Sequence, residues 1–166
     1  MSKRDMIYAK FETIEEQVAH CYFLLHEHFI ANPPLAKFWV EAAMDELQHN
    51  SILRFCRERG LMSEVDIDQE SIERIEQLLE TVKSIVSDPE VTVDEAFYAS
   101  LVLETSELDE VYQTLTRVLA VEQPLLYQAI QTSLRSHHHV FIEGAERFCT
   151  DRGFVDEFRN LGRSIS

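Results

Sequence analysis

The stretch Pro33-Pro34-Leu35-Ala-Lys-Phe38-Trp39-Val-Glu-Ala42-Ala-Met-Asp-Glu46-Leu-Gln-His49-Asn-Ser-Ile-Leu53-Arg-Phe-Cys56-Arg-Glu-Arg-Gly60 decides how this chain folds. Leu35, Phe38, Trp39, Ala42, Glu46, His49, Leu53 and Cys56 recur at spacings of three and four, the period of one helical face. Asn32 suits the N-cap, Pro33 the first helical position and Gly60 the stop. Two members of this apolar stripe are polar. Glu46 and His49 stand one turn apart on the same side, where a carboxylate and an imidazole can hold one metal ion together. An unpaired carboxylate on such a stripe would be costly, which argues for a ligand role.

Outward from this stretch the chain reads as further helices. Before it, a helix from about Met6 to Ala31 carries Phe11, Ile14, Val18, Cys21, Tyr22 and Leu25, with Glu15 on the same stripe. The link to the next helix is short, so the two form an antiparallel hairpin. After Gly60 comes an acidic connection beginning at Ser63, then a shorter helix through Ile72, Ile75, Leu79, Val82 and Val86, ended by Ser87-Asp88-Pro89. Thr92-Val-Asp-Glu95 reads as a capping box. It opens a third long helix through Phe97, Leu101, Leu108, Tyr112, Leu115 and Leu119. Gln123-Pro124 starts the fourth, along Tyr127, Ile130, Leu134, His137, Phe141, Ala145 and Phe148, closing before Gly153. The expectation is an all-α fold: two antiparallel helix hairpins joined by a long crossover containing a short helix. That is the connectivity of a ferritin-like four-helix bundle, over residues 1–153. Residues 154–166 are expected to be a tail that frays or docks as a short final turn.

Composition narrows the function classes. The 166 residues suit one domain, and 45% apolar content suits a packed core. A net charge of −15 opposes binding to nucleic acid or an anionic membrane. Cys21, Cys56 and Cys149 form no C-x-x-C pair, so neither a disulfide framework nor a zinc or rubredoxin-type knuckle is encoded. No apolar leader or run of 18 apolar residues occurs, and the cytoplasm is the expected compartment. No phosphate-binding glycine loop or G-x-S-x-G elbow is present, and neither haem nor nucleotide is expected. His20, His26 and His28 do not form a tight ligand spacing and are expected at the surface.

A two-metal carboxylate bundle needs a carboxylate from helices one and three and a Glu-x-x-His from helices two and four. Glu15, Glu46 and His49 supply the first half. An internal repeat aligns Glu15-x-x-Val18-x-x-x-Tyr22 with Thr105-x-x-Leu108-x-x-x-Tyr112, leaving Glu104, beside Thr105, as the helix-three candidate. Glu107 and Glu110 suit an exposed acidic face. In helix four His137 fits the stripe best, His138 is the alternative by one residue of register, and His139 points outward toward Glu143. The residues three before these candidates are Leu134 and Arg135, so the second Glu-x-x-His is broken. Gly144 suits a close approach between helices.

With Glu15-x-x-Val18-x-x-x-Tyr22, Ala42-x-x-x-Glu46-x-x-His49-x-x-x-Leu53 and a crossover into two more long helices, the chain resembles the rubrerythrin family of the ferritin-like superfamily over residues 6–150. The resemblance implies an iron centre, di-iron or mononuclear, that reduces hydrogen peroxide or oxygen. It also implies a homodimer and, since no C-x-x-C pair marks a rubredoxin module in these residues, an external electron donor such as a rubredoxin. Tyr22 or Tyr112 would donate a hydrogen bond to a ligating carboxylate. Two other readings stand beside it. One is a bundle without metal that serves as an interaction or regulatory protein, with Arg135 turned inward in place of a second ion. The other is a zinc or other divalent site without redox turnover.

Overall fold

The computed structural model describes residues 2–63, 67–104, 106 and 108–164. All of their regular secondary structure is helical: α1 Lys3–His28, α2 Pro33–Glu58, α3 Gln69–Val86, α4 Val93–Glu104, α5 Leu108–Thr116, α6 Leu119–Glu122, α7 Pro124–Phe148 and α8 Arg152–Ser164. Among the described residues no helix is long and apolar enough to cross a membrane.

Local chemistry explains the boundaries. Helix α1 starts earlier than the apolar stripe indicates, because Ser2 and Asp5 form a capping box in which each side chain accepts the other's backbone N–H. Asn32 occupies the N-cap of α2 but makes no capping bond with its side chain. The following Pro33 and Pro34 have no N–H to offer it. Gly60, at φ +68°, takes the left-handed conformation just beyond α2. Thr92 and Glu95 form the expected capping box.

The third long helix is divided into α4, α5 and α6. Both the backbone N–H and the hydroxyl of Ser106 donate to the Leu103 carbonyl, occupying an acceptor that a continuing helix would use. Beyond Cys149 the chain departs from the expected fraying tail or short turn. Helix α8 buries Val155 and Phe158, and Phe158 packs on Phe97 and Phe141. Asp94 of α4 accepts from the Thr150 N–H just ahead of α8, anchoring its start.

Pair contacts set the directions. His26 meets Ala36, Tyr22 meets Trp39 and Glu12 meets Arg57, so α1 and α2 run antiparallel. Helix α3 runs parallel to α1, through Lys10–Glu76 and Lys83–Gln17. Helix α7 runs antiparallel to α2, through Phe38–Phe148 and Asp45–His137. Phe97 of α4 reaches Trp39, Glu104 reaches Tyr22, and Tyr112 of α5 reaches His49, so α4 and α5 descend alongside α2. One end of the core is an aromatic cluster of Phe38, Trp39, Phe97 and Phe141. Gly144 is required there: a Cβ at that position would lie 2.5 Å from the Phe38 ring.

Candidate metal centre

Below that cluster, polar side chains converge where apolar packing would be expected. Glu15, Glu46, His49, Glu104, His137 and His138 are all buried. Helix periodicity places them there. Glu15 shares the inward face of α1 with Val18 and Tyr22, Glu46 and His49 that of α2 with Ala42 and Leu53, and His137 that of α7 with Leu134 and Phe141.

Glu46 stands between two groups of donors. Its Oε2 faces His49 Nδ1 at 3.1 Å, and the same nitrogen lies 3.9 Å from Glu15 Oε2. Its Oε1 faces His137 Nε2 at 3.4 Å, and that nitrogen lies 3.2 Å from Glu104 Oε1. Glu15, Glu46 and His49 therefore form one set of three donors, and Glu46, Glu104 and His137 a second. Two donors each about 2.1 Å from an ion stand roughly 3.0 to 3.5 Å apart at right to tetrahedral angles. Most separations here fall in or near that range, and the oxygen-plus-imidazole chemistry suits a divalent first-row ion.

Around these donors a further layer fixes orientation. Tyr22 donates its phenolic proton to Glu104 Oε1 at 3.1 Å, as expected of one of the two candidate tyrosines. Tyr112 stacks against His49, with centroids 4.5 Å apart. Asp45 Oδ2 lies 3.2 Å from His137 Nδ1. Accepting that N–H leaves Nε2, which faces Glu46 and Glu104, as the nitrogen that could bind a metal. Asp45 was not a sequence candidate. Its signal is the residue before Glu46, which sits about 100° around the helix and turns from the α1 side toward α7.

The electrostatics are those of a tightly balanced cluster. Burial pushes the Glu46 pKa up, but the charge and hydrogen bond of His49 and the charge of His137 outweigh it, and the net shift is downward. Burial pushes His137 down, while Glu104, Asp45 and Glu46 raise it well above the usual histidine range. Burial, then the charges of Glu104 and Glu46, raise Tyr22. The carboxylates around His137 thus favour its protonated form, which would place positive charge in the region a cation would take.

Several expectations change. Both His137 and His138 are buried, not one of them, and His138 Nε2 lies 3.8 Å from Glu104 Oε2. His139 is exposed beside Glu143, as expected. Arg135 is exposed and donates to the Gln131 carbonyl, so it places no cation in the centre. His26 is only half-exposed, its Nδ1 facing the Ala36 carbonyl at 2.8 Å, whereas His20 and His28 are exposed. Thr105, Glu107 and the side chain of Glu110, weighed for helix three, lie outside the described residues. No family model, curated protein or solved structure matches this chain.

Proposed function

We propose that this chain is a rubrerythrin-like protein of the ferritin-like four-helix type, whose buried centre holds iron and reduces hydrogen peroxide or oxygen with electrons from an external donor. The observation that carries this reading is the position of Glu46, with one carboxylate oxygen toward His49 and the other toward His137. A carboxylate so placed can bridge two ions, neutralising part of both charges. Glu15 and His49 would complete one position, Glu104 and His137 the other. Bound iron would supply one-electron redox chemistry and coordination positions for peroxide. The protein's own contribution is to hold these donors dry and aligned, with Asp45 orienting His137 and Tyr22 orienting Glu104.

Arg135 is exposed, so the rival reading of a metal-free interaction bundle keeps the broken second Glu-x-x-His as its support but gains no cation in place of a second ion. The test is ferrous iron added to the anaerobic, reduced protein. Two irons per chain, lost in Glu46→Ala because both positions share that residue, are expected. A folded wild-type protein that stays empty would sink the proposal.

A further inference from the structure

The α7 residue one turn before His137 is Leu134, 2% exposed and on the same buried face. A symmetric centre of this kind has a glutamate there, giving four carboxylates to two ions. We infer that Leu134 sets the oxidation state the centre prefers: with three carboxylates in its donor sets among the described residues, it favours paired divalent ions and needs only a mild one-electron donor to return to them. This rests on the iron-binding reading above.

Four carboxylates neutralise two divalent ions. Glu15, Glu46 and Glu104 leave one positive charge in excess, and each one-electron oxidation adds another. Among the described residues, nearby carboxylates do not make up the difference. Glu12 is held by Arg57 through two hydrogen bonds of 2.6 and 2.9 Å. Asp45 is 38% exposed and lies on the far nitrogen of His137, where solvent screens it. Two unit charges about 4 Å apart at an effective dielectric near 20 shift an equilibrium by roughly a thousandfold. The missing carboxylate therefore matters most to the oxidised state, which carries the most charge.

Full-length protein loaded anaerobically with ferrous iron tests this by redox titration of the bound metal. Leu134→Glu should favour the oxidised state at least tenfold, lowering the midpoint by about 59 mV or more. Leu134→Gln, similar in shape but neutral, should shift it by less than that. Glu104→Gln, which removes a charge instead of adding one, should move the midpoint upward. Equal midpoints in iron-loaded wild type and Leu134→Glu overturn the inference. So does a Leu134→Gln shift as large as that of Leu134→Glu. If Leu134→Glu does not fold, an unchanged midpoint in Glu104→Gln overturns it. A folded wild type that takes up no iron is a different result: the iron-binding reading fails, and this inference with it.

Discussion

Replacing Asp45 with alanine should separate the two proposed metal positions. The Asp45 carboxylate touches the centre only through His137 Nδ1, at 3.2 Å. It makes no such contact with His49, whose Nδ1 faces Glu46 and Glu15. Losing a carboxylate behind a ligating imidazole weakens metal binding by about 10- to 100-fold, or roughly 1.4 to 2.8 kcal/mol. That loss should fall on the position formed by Glu46, Glu104 and His137. The position formed by Glu15, Glu46 and His49 should keep its affinity to within about threefold, the usual scatter of such measurements. Asp45 is partly exposed and alanine favours helix, so the fold should survive. Anaerobic calorimetric titration with ferrous iron, or with cobalt as an optical reporter, should change from two similar steps to one unchanged and one weakened step. Equal weakening of both steps would refute the division of the centre about Glu46. No change in either would refute the role of Asp45.

Two further outcomes follow from the same geometry. His137 is raised above its ordinary value of 6.5, so its contribution to metal-free stability is complete below about pH 6.5 and is lost as pH rises through the raised value. Glu46 is lowered from its ordinary 4.5, so its contribution is present above about pH 4.5 and lost as pH falls through the lowered value. The Tm of the metal-free protein should therefore peak between these limits and fall on the alkaline side, while metal affinity rises with pH as His137 gives up its proton. A Tm that climbs steadily from pH 6.5 to 9 would contradict this. Gly144→Ala should lower stability by about 1–2 kcal/mol, because the new methyl meets a Phe38 ring already packed by Trp39, Phe97 and Phe141. The helix-propensity gain of about 1 kcal/mol offsets only part of that clash. A raised Tm in thermal denaturation would refute it.

Much of the centre is legible in the chain because helices repeat. Glu46 and His49 are three residues apart, and that spacing puts them on one helix face, where they meet at 3.1 Å. Glu15 is legible for the same reason, as a charge on a stripe of apolar residues. The helix-three position is less so. Thr105 aligns with Glu15 by the repeat, yet Glu104 is the residue that meets His137. Each residue turns a helix by about 100°, so an error of one in register changes which side chain enters the core. The same ambiguity hid the fact that His137 and His138 both reach Glu104. Helix α8 was underestimated because its apolar face is short, and the burial of Phe158 depends on Phe97 and Phe141, 61 and 17 residues earlier in the chain.

By itself the sequence determined that the chain is helical, roughly where α1, α2, α3 and α7 begin and end, and that Pro33–Gly60 places a carboxylate and an imidazole on one buried face. Those properties depend on backbone periodicity and on caps within a few residues. Tertiary structure alone decided that Glu46 stands between two groups of potential donors, that Asp45 lies behind His137, and that Arg135 faces solvent. Each of these depends on how one helix is rotated and shifted against another, and packing across the whole core sets that rotation.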